Sequence, residues 1–368
     1  MPVITDYLEW RGDVPFCFRP LNDVDAYVVS KIGTVDWTGI VPPETGYVPI
    51  HRAVEAYLRQ SGTEYLGLVA SPHTVPVISR LPETERFGSL ELYGYVTSFS
   101  AETTEQFSAL TVRLPDGRHF ITFRGTDDTL VGWKEDCLFA VETETPAQRS
   151  AVEYLLAVAE ATAGTIIVGG HSKGGNLAVY AASNAPEEVQ RRIGPVYDFD
   201  GPGFERPFFE TPGFLAVKDR IRKVYSKNAI VGTLMHQGVD ALVVDCETAG
   251  VLAHDGFTWE VNARGFVPYP GLTAAARAFN ETMDRLLENR TREERRELVR
   301  ALFDTLSASG ADTLTALTEQ GLRRSAAVVY DLVKDATVRG MVTDLLEVMA
   351  KEYVSERRKE NQGRRKNP

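Results

Sequence analysis

The sequence has few cysteines, no cluster of metal-binding residues and no surplus of basic side chains. Cys17, Cys137 and Cys246 are widely separated among 368 residues, which excludes a disulfide-rich scaffold. No group of Cys and His has the spacing of a zinc site, and we expect neither a metal nor a cofactor. Acidic residues outnumber basic ones by 51 to 40. This balance argues against a nucleic-acid partner, because phosphate contacts need a basic face.

Signals for membrane insertion and export are also missing. No uninterrupted apolar stretch reaches the roughly 18–20 residues that span a bilayer. The first residues, MPVITDYLEWRGDVP, carry acidic side chains, whereas a secretory signal begins with basic residues and continues with an apolar run. Together with the cysteine content, this predicts a cytoplasmic protein without a transmembrane segment.

Four regions of the chain differ in their patterns. Residues 1–90 contain short apolar pieces broken by proline and glycine, and we expect this segment to pack on the core. Over 91–270, β-rich runs alternate with helical patterns, which predicts an α/β domain with a mostly parallel sheet and helices on both faces. Residues 271–355 have only amphipathic helical patterns and predict an all-helical C-terminal layer. The basic, polar tail over 356–368 is expected to be disordered.

The α/β region divides into recognisable strands and helices. Asp116-Gly117 separates two β-rich runs within 109–123 and predicts a hairpin. Further strands are predicted at 165–170, 196–200, 221–226 and 241–246. Helical spacing is found over 147–162 and 176–185, on either side of the strand at 165–170. Helix, buried strand, tight turn and helix therefore follow one another.

The tight turn carries the most informative residues, GHSKG at 170–174. This G-x-S-x-G pattern between a strand and a helix predicts a nucleophile elbow, a strained turn that exposes the serine at the sheet's C-terminal edge. The alternatives are a glycine-rich turn with an ordinary serine, or a phosphate-binding loop, but the segment does not fit the Walker pattern. Ser172 is thus the candidate nucleophile. Its neighbour His171 is expected to pack or to bond locally.

A serine nucleophile needs hydrogen-bond donors for the oxyanion. One donor should be the backbone N–H of the residue after the nucleophile, Lys173. The second should come from RGTDD at 124–128, where Thr126 offers a backbone N–H and a hydroxyl. Taken alone, that segment would be interpreted as a charged turn. The Lys173 side chain either favours anionic substrates or extends into solvent.

Two linked segments, FITFRGTDDTLVGWKEDCLFA (120–140) and IVGGHSKGGNLAVYAA (167–182), resemble the fungal-type (class 3) lipases of the α/β-hydrolase superfamily. Those lipases carry an F-R-G-[ST] oxyanion loop, a W-x-x-D stretch and a G-H-S-x-G-G-x-L-A elbow. The resemblance covers roughly 90–260 and is nearest to a bacterial, lipase-like branch. It implies an α/β-hydrolase-like fold, Ser172 as the nucleophile, and Thr126 and Lys173 as the oxyanion donors.

In hydrolases of this fold the chain order is serine, acid, histidine. Only His236 and His254 follow Ser172. His254 comes after the strand predicted at 241–246, where a loop would return it to the elbow, and we expect it to be the base. His236 is predicted to lie on a short helix and is the alternative.

The acid is less constrained by the sequence. The resemblance places it after the next-to-last strand, where this chain has Asn228. Asp200 ends an earlier strand and enters a Gly-Pro-Gly loop at the sheet's C-terminal edge. Because the acid has only to orient the imidazole and stabilise imidazolium, its strand of origin can vary. We therefore predict Asp200, with a structural turn-capping aspartate as the alternative, while Asp198 would lie deeper on the same face.

These residues predict a serine hydrolase that cleaves a carboxylic ester (a lipid, a lysophospholipid or an acyl-thioester) through an acyl-enzyme. The alternative is a non-catalytic binding module on a lipase-like scaffold, which Asn228 at the expected acid position favours. The phenylalanines of 201–217 could line an acyl pocket or form a lid. We prefer the interpretation that they pack the C-terminal helices onto the sheet.

Overall fold

A computed structural model describes residues 1–43, 46–61, 71–307, 312, 313 and 316. Within them the strands are β1 (Val48–Pro49), β2 (Glu91–Ser100), β3 (Glu105–Arg113), β4 (His119–Phe123), β5 (Ile166–His171), β6 (Ile193–Phe199), β7 (Ile221–Ser226), β8 (Ala241–Val244), β9 (Val261–Asn262) and β10 (Gly265–Phe266). The helices are α1 (Ile4–Arg11), α2 (Asp23–Ile32), α3 (Ile50–Ser61), α4 (Thr74–Arg80), α5 (Leu130–Leu138), α6 (Pro146–Ala161), α7 (Lys173–Asn184), α8 (Glu187–Gln190), α9 (Pro212–Val217), α10 (Ala274–Glu288) and α11 (Arg292–Ser307). The part of the predicted helical layer beyond 316 and the tail at 356–368 lie outside the described residues.

The first eight strands form one sheet in chain order. The pairings from β1 to β4 are antiparallel, and those from β4 to β8 are parallel. Gly117, at φ 84°, turns the hairpin between β3 and β4. Since helices cover both faces, the predicted α/β-hydrolase-like sheet is confirmed.

Local sequence signals set the elements around β5. Thr145 caps α6, its hydroxyl accepting from the backbone N–H of Gln148, and Pro146 occupies the first helical position. The strand β5 is buried along its first five residues, as expected for an apolar strand covered on both faces. The following helix α7 ends at Asn184, two residues before Pro186, which has no N–H to continue it.

The two faces of the sheet carry separate apolar cores. On one face, the described helices of 1–90 pack with residues from the 253–266 segment. On the other face, α6, α7 and α9 cover the strands. Val299 and Phe303 of α11 pack against Val141, which follows α5. The domain boundaries at 90, 270 and 355 stay predictions. In the described part of the chain, every helix is too short or too polar to span a bilayer.

Candidate functional site

Ser172 lies in a sharp turn between β5 and α7. Its backbone has φ 60° and ψ −132°, a strained conformation for a residue other than glycine. The Ser172 N–H donates to the carbonyl of Phe199 at 2.9 Å, which fixes the turn against the end of β6. The serine is half-buried. This is the geometry of the predicted elbow.

Two glycines allow the turn to be this tight. A Cβ at Gly170 would lie 2.4 Å from the carbonyl of Gly174, and a Cβ at Gly174 would lie 2.1 Å from the carbonyl oxygen of Phe123. Both distances are too short for any side chain. The elbow therefore packs directly against the backbone at the end of β4, and the small residues on either side of the serine are required.

The structure brings His254 and Asp200 together. His254 ends the short 3₁₀ turn Gly250–His254 that follows β8, and its Nδ1 lies 2.6 Å from Oδ2 of Asp200. The Asp200 side chain is fully buried and that of His254 is 17% exposed. The other Asp200 oxygen accepts from the Gly232 N–H at 2.9 Å. An Nδ1–H donated to the carboxylate leaves Nε2 of His254 as the acceptor nitrogen.

His171, the residue before the serine, contacts the histidine turn. Its Nε2–H donates to the carbonyl of His254 at 2.7 Å. The centroids of the His171 and His254 rings lie 4.4 Å apart. Burial, with smaller effects from Lys31 and His254, holds the pKa of His171 well below its usual value, so the ring is neutral. Among the described residues no hydrogen bond joins the Ser172 hydroxyl to His254. His171 precedes Ser172 in the chain, and its ring contacts the turn that carries His254.

The other candidates for the acid have structural contacts. Asp198 pairs with Lys223 at 2.6 Å and accepts from the Gly201 N–H at 2.8 Å, which braces the turn that carries Asp200. Asn228 donates to the carbonyl of Thr248 at 2.7 Å and accepts from the Thr273 hydroxyl at 3.1 Å. None of the described hydrogen bonds of Asn228 involves His254, so the structure does not bring the alternative acid position to the histidine.

The prediction that His236 lies on a short helix is wrong. His236 forms an isolated antiparallel bridge with Phe204. Its Nε2 lies 4.0 Å from a carboxylate oxygen of Glu288 in α10. The two loops approach closely, because a Cβ at Gly203 would lie 1.9 Å from the His236 carbonyl oxygen. His236 thus joins two loops.

The 124–128 loop lies against the elbow. A Cβ at Gly125 would be 2.8 Å from the carbonyl oxygen of His171 and 3.3 Å from Cβ of Ser172. The adjacent Thr126 donates its hydroxyl to Asp136 of α5. On the other side of the serine, the N–H of Lys173 is at the first position of α7 and has no acceptor within the helix. Both predicted oxyanion donors are therefore on segments that flank Ser172.

Asp136 is the aspartate of the W-x-x-D stretch. Burial raises its pKa to about 6, while the charge of Lys173 and the hydrogen bond from Thr126 act in the opposite direction. The Asp136 carboxylate therefore accepts the hydrogen bond from Thr126 at the free-energy cost of removing its charge from water.

The Lys173 side chain follows neither prediction made for it. It does not extend into solvent or face a substrate, because it is fully buried and its Nζ lies 2.5 Å from Oε2 of Glu135. Burial of a lysine requires such a partner. The ammonium also donates to the backbone carbonyl of Gln106 at 2.6 Å.

Among the described residues, the phenylalanines of 201–217 pack on α7, and no ring contact joins them to α10 or α11. The rings of Phe204 and Phe208 stack at 4.0 Å, and Tyr180 of α7 stacks on Phe208 at 6.0 Å. For α10 and α11 the preferred interpretation of this loop is therefore not met, and the helical region predicted beyond 316 lies outside the described residues. Ion pairs, not aromatic rings, join the loop to α10 and α11: Glu205 with Arg292 and Arg295, and Arg206 with Glu288.

Comparison with known proteins assigns a family. The sequence profile of the Mbeg1-like family matches residues 81–304, which is more than half of the chain. The chain belongs to the Mbeg1-like family. Among solved structures, the Mbeg1-like chain is similar to the crystal structure of M37 lipase, with 15% identity, a TM-score of 0.35, and coverage of 51% of this chain and 70% of that one. No curated protein matches it.

Sequence reasoning missed two contacts in this Mbeg1-like chain. It did not find that Glu135 pairs with Lys173, nor that His171 bonds to the turn of His254. A lysine next to the elbow was the only available signal for the first contact. The second joins residues 83 positions apart, and no local pattern carries such a contact.

Proposed function

We propose that this Mbeg1-like protein is a serine hydrolase that cleaves a carboxylic ester through an acyl-enzyme. The observation that carries the proposal is the 2.6 Å hydrogen bond between His254 and Asp200, at the edge of the sheet where Ser172 occupies its strained turn. A buried carboxylate that orients an imidazole beside a serine elbow is the arrangement that activates a hydroxyl.

In this mechanism His254 Nε2 takes the proton of Ser172 as the hydroxyl attacks the ester carbonyl. Asp200 stabilises the imidazolium that forms. The backbone N–H groups of Thr126 and Lys173 donate to the oxyanion. Collapse of the tetrahedral intermediate breaks the C–O bond, and the alcohol leaves with the proton from His254. Water then attacks the acyl-enzyme by the reverse proton transfers and releases the acid.

The substrate class is a lipid ester, a lysophospholipid or an acyl-thioester. The buried pair of Lys173 and Glu135 supports no preference for a negatively charged substrate, because that ammonium is already neutralised inside the protein.

The competing function, a binding module with an impaired triad, depended on Asn228 at the acid position. The position of Asp200 weakens that reasoning, because its carboxylate forms a hydrogen bond with Nδ1 of His254. This second function is therefore kept only as an outcome of the test.

The test is hydrolysis of p-nitrophenyl esters of increasing acyl length, of a lysophospholipid and of an acyl-thioester. We expect wild type to turn over at least one of them, and S172A to lose activity by about 10⁴-fold or more. S183A is the matched control, since Ser183 lies in α7 away from the elbow, and it should retain activity. Equal rates for wild type and S172A would favour the binding module.

A further inference from the structure

The ammonium group of Lys173 lies inside the protein, one residue after Ser172. The side chains of Lys173 and Glu135 both have no solvent exposure. Besides the contact at 2.5 Å with Glu135, the ammonium donates to the backbone oxygen of Gln106 at 2.6 Å and to its Oε1 at 3.3 Å. Its three donors are thus satisfied by groups of β3 and α5.

Glu135 has a similarly complete set of partners. Its Oε2 also accepts from the backbone N–H of Gln106 at 2.9 Å, and its Oε1 accepts from that of Ala147 in α6 at 2.8 Å. A buried ion pair contributes little net stability, because desolvation offsets the attraction, and an apolar pair often serves as well. What this pair supplies is a fixed arrangement of β3, α5, α6 and α7.

The same helix α5 anchors the 124–128 loop. Asp136, next to Glu135, accepts the hydroxyl of Thr126. One helix therefore anchors the side chains of Thr126 and Lys173, whose backbone N–H groups are the two proposed oxyanion donors. These donors belong to separate segments of the chain, and their separation decides whether both reach one oxygen atom.

We propose that the ion pair of Lys173 and Glu135 is a positioning device that sets the separation of the two oxyanion donors. This inference rests on the proposed function, since an oxyanion forms only if acyl transfer takes place. The negative charge on the oxygen develops only in the transition state. Loosening the pair therefore lowers kcat and leaves KM nearly unchanged.

The test compares K173M and E135Q with wild type on the best ester, using full-length protein. Rates are divided by the concentration of serine titrated with a fluorophosphonate, so that unfolded molecules do not count. We expect kcat per titrated serine to fall by about 10²-fold in K173M and by less in E135Q, with KM nearly unchanged. A boronic acid that mimics the tetrahedral intermediate should lose affinity by a similar factor.

The matched control is R86M, which breaks another fully buried ion pair, that of Arg86 and Asp25 in the N-terminal region. R86M should lower Tm and leave kcat per titrated serine unchanged. If K173M behaves like R86M, the pair is only structural and the inference is overturned. If K173M does not fold, E135Q and the double variant K173M/E135M decide by the same criterion. Absence of esterase activity and of a titratable serine in wild type would instead refute the proposed function, and the inference with it.

Discussion

The candidate site has a histidine side (Ser172, His254 and Asp200) and an oxyanion side (Thr126, Lys173, Glu135 and Asp136). On the histidine side, the buried Asp200 faces an imidazole that is 17% exposed. On the oxyanion side, Lys173 and Glu135 are both fully buried.

Under the proposed function, the difference follows from what each side does in the reaction. An imidazole must exchange protons with the serine and the leaving group, so it lies near solvent and only its orientation is fixed. An oxyanion site must not reorganise during the reaction, because preorganised dipoles are effective only when they are held rigidly. Buried and saturated charges provide that rigidity at a cost in desolvation.

Among substitutions on the two sides, the greatest loss of activity is expected for the acid of the histidine side, Asp200. D200N keeps the shape of the side chain but changes the tautomer that it supports on His254, and we expect kcat to fall by about 10⁴-fold. The measurement is kcat for the best ester per titrated serine.

The matched variant for D200N is N228A, at the position where the lipase pattern has its acid. Asn228 bonds to loop residues such as Thr248, so N228A should lower Tm and keep kcat near the wild-type value. A large loss of kcat in N228A, with D200N active, would mean that Asp200 is only a turn-capping residue.

The sequence was sufficient for the parts of the molecule that local patterns encode. The strands around the elbow, the serine turn and the hairpin at Gly117 follow from apolar runs and from glycine positions. Asp200 and His254 could be predicted as a pair because strand ends of a parallel sheet meet at one edge. The bond between them is observed at 2.6 Å.

What could not be predicted depends on contacts between distant segments. The position of a lysine beside the serine does not indicate whether its side chain extends into solvent or into the core. Only the packing of α5 against β3 makes a buried acceptor available to Lys173. The packing of the phenylalanines of 201–217 on α7 could not be predicted for the same reason. An apolar side chain indicates burial, but not which of two neighbouring helices covers it.

A smaller effect, on the pH dependence of the free energy of unfolding, is expected from the oxyanion side. Burial raises the pKa of Asp136 from 3.8 to about 6, so the folded state binds this proton more tightly than the unfolded state. The favourable contribution of the protonated form is therefore lost as pH rises from about 4 to about 6. D136N cannot ionise, and the unfolding free energy of wild type should fall relative to D136N by about 3 kcal/mol across that window.

Urea denaturation of both proteins at intervals from pH 4 to pH 8 measures this difference. D240N is the control, since it removes a carboxylate at an exposed position and should keep a nearly constant difference from wild type. If the difference in unfolding free energy between wild type and D136N is also independent of pH, the buried carboxylate of Asp136 has no desolvation cost.

Whether Ser172 is an activated nucleophile can be measured by mass spectrometry of the protein after incubation with a fluorophosphonate. We expect one adduct per chain in wild type, located by peptide mapping on Ser172, and no adduct in S172A. We also expect strongly slowed labelling in H254N, because the imidazole takes the serine proton in the proposed mechanism. An unlabelled wild type, or an adduct on a different serine, would mean that Ser172 is not an activated nucleophile.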